Sequence, residues 1–172
     1  MDSTLAYWLR WPSLEYLITN YTWVWPLCEI LHFAGLILLF AAVGTFDLRL
    51  LGFGKGISPR LLSRLIPWGV FGFVLCLATG LLFITGIYAN VNIHPYVVLK
   101  SDVFLQLKLL FVILAGANLL LFYVTGMSKA VDRLEAGEDA PPLAKFFAGA
   151  SLFLWIAVMY FARLIPSGKF QP

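Results

Sequence analysis

Residues 24–44 read VWPLCEILHFAGLILLFAAVG, and this apolar stretch decides the fold. As an α-helix that rises about 1.5 Å per residue, it is long enough to cross the hydrocarbon core of a bilayer, which is about 30 Å thick. Two ionisable side chains, Glu29 and His32, lie inside it, about one helical turn apart. Ionisable groups are expensive in hydrocarbon unless they are paired or face the protein interior, so their position marks a candidate functional site.

The composition of the whole chain agrees with a membrane protein. Of its 172 residues, 61% are hydrophobic and 12% are charged, whereas soluble domains average about 45–50% apolar and about 25% charged residues. A chain this apolar is expected to have lipid as its solvent. The net charge of +3 comes without a basic patch, so no nucleic-acid partner is predicted.

Three further apolar runs follow the first, at 65–88, 103–127 and 145–165. Together the four runs predict an all-α integral membrane protein, a single domain over 1–172 that forms an up-down four-helix bundle. Ahead of them, residues 13–21 have apolar side chains at helical spacing, which predicts a short interfacial helix with Ser13 as its N-cap. Lysine and arginine are concentrated after the first and third spans, so the positive-inside rule predicts both termini on the outer, periplasmic side.

Small residues and polar residues in the spans predict how the helices meet. The second span carries four glycines that permit close contact with a neighbouring helix, namely Gly69, Gly72, Gly80 and Gly86. Asn118, in the third span, is expected to form a hydrogen bond to another helix. Asp47 and Arg49 follow the first predicted span, where we expect them to meet water or lipid headgroups. They are two residues apart and so do not face each other on a helix.

Several ionisable groups are predicted to converge near the outer side of the bundle. The first and third spans enter from the same side, which places Glu29, His32 and Lys108 at similar depths. His94 lies in the loop just above them, and Asn118 lies about 15 Å deeper than Lys108. This outer cluster is the candidate site.

His32 has three interpretations that the residues leave open. It is an axial heme ligand, with a second ligand such as His94; or it binds copper or zinc together with Cys28, and with Glu29 as a further candidate; or it is a structural histidine bonded to Glu29 or Lys108. Glu29 either orients His32, relays a proton or forms an ion pair with Lys108. Lys108 alternatively extends its ammonium group to the outer surface.

Signatures of soluble enzymes are missing from the sequence. It contains no Walker loop, GxGxxG, HExxH, CxxCH or GxSxG motif, so the residues favour a protein that is not an enzyme. No inverted repeat is evident, which argues against a transporter acting alone.

Three patterns over residues 8–122 resemble an uncharacterised family of small four-span proteins of the bacterial inner membrane. They are P-x2-E-x2-H-x2-G, DLR-x-LG and K-x9-N, found here as Pro26, Glu29, His32, Gly35, Asp47, Leu48, Arg49, Leu51, Gly52, Lys108 and Asn118. The layout is also similar to the oxygen-independent protoporphyrinogen oxidase of the heme pathway and to the membrane domain of copper-resistance proteins. The resemblance to the oxidase implies heme b bound by His32. A KL motif at Lys108-Leu109 is also similar to the oxidase.

Members of the uncharacterised family continue with a histidine near the end of the third span, where this chain has Tyr123 and Thr125. The second heme ligand is therefore left to His94, to Lys108 or to an open position. The leading hypothesis is a b-type heme protein of the inner membrane that serves electron transfer or acts as a redox accessory subunit. In it, Glu29 tunes the site and Lys108 pairs with a heme propionate or with Glu29.

Three alternatives accompany this hypothesis. One is a copper-handling membrane protein that uses Cys28 and His32, and another is a cofactor-free structural subunit of a larger membrane complex. The third is an enzyme that acts on a porphyrin or a quinone. Beyond the lipid bilayer, the expected partner is another membrane or periplasmic protein.

Overall fold

The computed structural model describes residues 9–91 and 93–165, with the side chains of Tyr88, Asn90 and Val91 outside the description. Within these ranges the regular secondary structure is helical throughout, and no strand occurs. Four helices are long and apolar enough to cross a membrane. The prediction of an all-α, multi-pass four-helix bundle is confirmed.

Eight helices follow one another along the described chain. In order they are α1 (Pro12–Asn20), α2 (Val24–Leu51, with a π-helical turn at Phe40–Gly44), α3 (Pro59–Ser63), α4 (Ile66–Val91), α5 (Pro95–Ser101), α6 (Val103–Val124), α7 (Met127–Val131) and α8 (Pro142–Leu164). The membrane-spanning helices are α2, α4, α6 and α8. The short α1 and α5 lie near one end of the bundle, and α3 and α7 lie near the other.

The four spanning helices form two antiparallel pairs, α2 with α4 and α6 with α8. The pairs meet where the last turns of α2 pack against α8. The buried core lies at this meeting point and consists of Phe46, Leu50, Phe122, Val131, Ala140, Ala144, Phe147 and Ala148. We use the name loop end for this buried core together with loops 52–58 and 132–141. The opposite part of the bundle is the His32 end.

Glycines let α2 and α4 touch backbone to backbone. A Cβ atom at Gly72 would lie 2.5 Å from the carbonyl oxygen of Gly35 and 2.9 Å from the backbone nitrogen of Leu39. At the far end of α4, a Cβ at Gly86 would lie 2.5 Å from Cδ1 of Ile18 in α1. The predicted close contacts of the glycine-rich span are confirmed, and they fix α4 against both α1 and α2.

Several helix boundaries differ from those predicted. The first span continues to Leu51, so Asp47 and Arg49 lie inside a helix and are only 5% and 1% exposed. The expectation that they meet water or headgroups is wrong, because α8 and the two loops cover this end. Ser13 is not an N-cap, since α1 begins at Pro12. The loop predicted at 89–102 contains α5.

Candidate functional site

The His32 ring of α2 is held in place by α4. Its Nδ1 lies 2.8 Å from Oγ1 of Thr79, whose side chain is buried. The Thr79 hydroxyl donates its proton to the backbone oxygen of Leu75, at 2.7 Å. Because a hydroxyl has one proton, the bond to His32 is donated by Nδ1–H, which leaves the lone pair on Nε2.

Further contacts of His32 also come from α4. Phe83 meets it edge to face, with 5.3 Å between the ring centroids. Gly80 leaves room beside the ring, since a Cβ there would be 3.9 Å from Cε1 of His32. The thiol of Cys76 donates to the backbone oxygen of His32, at 3.4 Å. The imidazole is therefore oriented through Nδ1, and Nε2 has no hydrogen-bond partner within residues 9–91 and 93–165.

Lys108 brings a positive charge from α6 toward this site. Its side chain is half-buried, and its charge acts on both His32 and Cys76. Among the described residues, its ammonium group has neither a hydrogen bond nor an ion pair. The predicted proximity of Lys108 and His32 is present, and the lysine is available to a further negatively charged group.

Glu29 does not form the expected pair with Lys108. Its side chain is exposed, and its Oε1 accepts a hydrogen bond from Nε1 of Trp25, at 2.9 Å. The first turns of α2 pack chiefly on α4, whereas Lys108 belongs to α6. Equal depth in the membrane therefore does not bring the two side chains together. No hydrogen bond joins Glu29 to His32 in the described part of the chain either.

The other candidate ligands, His94 and Cys28, do not belong to a preformed metal-binding cluster among the described residues. His94 is the N-cap of α5, where its Nδ1 accepts a hydrogen bond from the backbone nitrogen of Tyr96, at 3.2 Å. Cys28 is a half-buried free thiol. No group of three His, Cys, Asp or Glu side chains that could hold a metal occurs among the described residues.

Asn118 belongs to the loop end and not to the His32 site. Its Nδ2 donates to the backbone oxygen of Phe147 in α8, at 3.1 Å. The predicted interhelical hydrogen bond is therefore present, and it links α6 to α8. A role for Asn118 in binding a cofactor at His32 has no support in its contacts.

The loop end holds two buried polar residues whose importance the sequence interpretation missed. Arg49 donates hydrogen bonds to the backbone oxygens of Ile57, Lys55 and Glu138, and so joins loop 52–58 to loop 132–141. Asp47 forms a hydrogen bond with Ser151 of α8. Phe46 and Leu50 are four residues apart, and this helical spacing of apolar residues was the available signal that the helix continued.

His32 is an imidazole that is oriented by Thr79, packed on an aromatic ring and close to the charge of Lys108. Neither its Nε2 nor the lysine has a hydrogen-bond partner among the described residues. No protein-family model, no curated protein and no solved structure matches this chain.

Proposed function

We propose that this chain is a b-type heme-binding protein of the bacterial inner membrane that serves electron transfer or acts as a redox accessory subunit. The observation that supports it is the hydrogen bond from Nδ1 of His32 to Thr79. Histidines that ligate a metal almost always donate their other ring N–H to an acceptor, which fixes the tautomer and raises the basicity of the ligating nitrogen. Nε2 of His32 is the axial ligand in this proposal.

The residues around His32 suit such a group. Phe83 makes an aromatic contact with the imidazole, and Gly80 leaves the space of a methyl group beside it. Lys108 supplies a positive charge that would hold a propionate. A bound heme supplies reversible one-electron chemistry, whose potential depends on the axial ligand and its hydrogen bonds. Glu29 has no part in this proposal, because its carboxylate bonds to Trp25.

We also propose that both termini are periplasmic and that the His32 end lies on the periplasmic side. Basic side chains gather at the loop end, which the positive-inside rule assigns to the cytoplasm. They are Lys55, Arg60, Arg64, Lys129, Arg133 and Lys145. A heme near the periplasmic side would exchange electrons with another membrane protein or with a periplasmic protein.

The test is an absorption spectrum of the detergent-purified protein from heme-replete cells, recorded after air oxidation and after dithionite reduction. We expect a Soret band, with sharp α and β bands in the reduced form, and their loss in His32→Ala. The matched variant His94→Ala changes the spectrum only if His94 is the second axial ligand. A wild-type protein without visible absorption would overturn the proposal and favour the cofactor-free structural subunit.

Thr79 is a positioning residue in this proposal, and its variants test the hydrogen bond. Thr79→Val removes the acceptor for Nδ1–H with little change in volume, and we expect heme affinity to fall about 10- to 100-fold, as for other partners of metal ligands. Thr79→Ser keeps the hydroxyl group and is expected to restore affinity and the midpoint potential. Equal heme affinity in Thr79→Val and wild type, measured by titrating apoprotein, would contradict this role.

A further inference from the structure

A cavity of about 130 Å³ lies between the two helix pairs, near the loop end. Its wall is mainly apolar and includes the aromatic side chains of Phe46, Phe73, Phe122, Phe147 and Trp155. An apolar protein cavity of about 150 Å³ accommodates one benzene molecule. The cavity of this protein therefore has room for about one six-membered ring.

One carboxyl group in the cavity wall has an oxygen without a hydrogen-bond partner among the described residues. Asp47 lines the cavity and is only 5% exposed. Its Oδ2 is buried and has no hydrogen-bond partner among the described residues, while the carboxyl group is hydrogen-bonded to Ser151. A buried oxygen left without a partner is costly. In the ionised form of Asp47, Oδ2 therefore provides an acceptor for a hydrogen-bond donor that enters the cavity.

The cavity opens toward lipid. Val70, Leu119 and Tyr123 also line it, and these side chains are 45%, 41% and 49% exposed. All three lie in spanning helices, so the surface they share faces the membrane. On α2, Arg49 and Leu50 lie two and three residues nearer to the loops than Asp47 and are each 1% exposed, whereas Leu48 between them and Asp47 is 42% exposed. A molecule dissolved in the membrane thus has a more direct route to Asp47 than one dissolved in water.

We propose that this cavity binds the ring of a membrane-soluble quinol, whose hydroxyl group donates a hydrogen bond to Oδ2 of Asp47. Ring size, aromatic walls, lipid access and an unpaired acceptor together favour this class of ligand. The oxidised quinone has no hydroxyl donor and binds more weakly. The inference does not rest on heme binding at His32, which lies several helical turns away on α2.

The probe for this site is trimethylhydroquinone, kept reduced under argon, and the control ligand is its dimethyl ether, which has the same ring but no donor. Binding to the detergent-purified protein is followed by quenching of tryptophan fluorescence, since Trp155 lines the cavity. We expect the ether to bind at least tenfold more weakly. We expect the same loss for the hydroquinone in Asp47→Asn, because a neutral amide is a weaker acceptor than a carboxylate.

A second pair of variants tests the cavity itself and needs no change at Asp47. Gly116 lines the cavity, and a Cβ there meets nothing within 4 Å, so Gly116→Leu narrows the space without a backbone clash. The matched control is Gly44→Leu, at a glycine that is equally free of contacts and outside the cavity wall. We expect at least a tenfold loss of affinity only in Gly116→Leu.

Three results would overturn the proposal. They are wild-type protein that does not bind the hydroquinone, a dimethyl ether that binds as tightly, and Gly116→Leu that binds as the wild type does. Each uses protein whose folding is checked by its elution from size exclusion. None of the three depends on Asp47→Asn, so the proposal can be refuted by all three even if that variant folds poorly. The heme spectrum is recorded separately, which distinguishes failure here from failure at His32.

Discussion

The two ends of the bundle bury their polar groups in different ways. At the His32 end, α2 and α4 meet backbone to backbone at Gly35 and Gly72, and the imidazole is bonded through Nδ1 to Thr79. At the loop end, the guanidinium of Arg49 is almost fully buried and donates to backbone oxygens of two separate loops. One end is built on close helix contact, and the other on a buried cation that joins loops.

This difference predicts that different kinds of substitution destabilise the two ends. A helix crossing without side chains between the backbones has no space for an added methyl group. A buried cation surrounded by carbonyl groups tolerates the loss of its charge poorly, because its partners then lose their hydrogen bonds. Added volume is therefore expected to damage the His32 end, and lost hydrogen bonds the loop end.

The largest effect is expected from Gly72→Ala. The new Cβ would lie 2.5 Å from the carbonyl oxygen of Gly35 and 2.9 Å from the backbone nitrogen of Leu39. Backbone atoms of a packed helix do not rotate away as a flexible side chain does, so α2 and α4 must separate. We expect a loss of about 3 kcal/mol in stability, measured as thermal unfolding in detergent by circular dichroism.

The matched control is Gly116→Ala in α6, where the added Cβ meets nothing within 4 Å. Both variants place the same methyl group in a spanning helix, so any effect of helix propensity is shared. Gly116→Ala should unfold at or above the wild-type temperature. Similar destabilisation of both variants would show that the Gly35–Gly72 contact does not limit stability.

A smaller effect is expected from Arg49→Met at the loop end. The substitution removes donors to the backbone oxygens of Ile57 and Glu138 and keeps an apolar chain of similar length. Hydrogen bonds that involve a charged group contribute about 1.5–3 kcal/mol each, but nearby loop carbonyls regain some bonds to water. We expect a net loss of about 2 kcal/mol and faster proteolysis within loop 132–141.

Lys55→Met is the comparison variant for Arg49→Met. Its ammonium pairs with Asp139 at 2.8 Å, and both side chains are about half exposed. Ion pairs at the surface contribute about 0–1 kcal/mol, so loop 132–141 should resist protease in Lys55→Met as it does in the wild type. Equal sensitivity of the two variants would mean that charge alone, and not burial, holds the loops together.

The sequence was sufficient to predict those features of the fold that a single helix determines by itself. Long apolar runs predict the four spans because the thickness of the bilayer sets their length, and the glycines of α4 predict its close contacts. The end of α2 was not predictable in this way. Asp47 and Arg49 resemble the polar end of a span, and they become interior residues only because α8 and two loops cover them.

The site shows the same limit. Depth along the helices correctly grouped His32 with Lys108, but it also grouped Glu29 with them, although Glu29 is exposed and bonds to Trp25 of its own helix. Thr79 was not singled out, because a threonine in a span usually bonds to a carbonyl one turn earlier, as this one also does. Its second bond, to His32, depends on how α2 and α4 are aligned, and one sequence does not specify that alignment.

The smallest effect is expected where an ion pair is only partly buried, near α1. Arg10 donates two hydrogen bonds to the carboxylate of Glu15, at 2.9 and 2.6 Å, and the two side chains are 29% and 12% exposed. The hydrogen bond from Arg10 lowers the pKa of Glu15 below its ordinary value, and burial only partly offsets this. Glu15→Gln should therefore lower stability at pH 7 by less than about 1 kcal/mol.

The sign of the pH dependence follows from that lowered pKa. The contribution of Glu15 is fully present above the pKa of the unfolded chain, about 4.3, and it is lost as the pH falls through the lower value in the folded protein. The stability difference between Glu15→Gln and wild type should thus shrink on acidification, as measured by urea unfolding of detergent-solubilised protein. Glu135→Gln, at an exposed loop position, controls for the loss of one carboxylate. A stability difference for Glu15→Gln that does not change with pH would mean that the chain near α1 is held by packing of Ile18 on α4 and not by the bonds from Arg10.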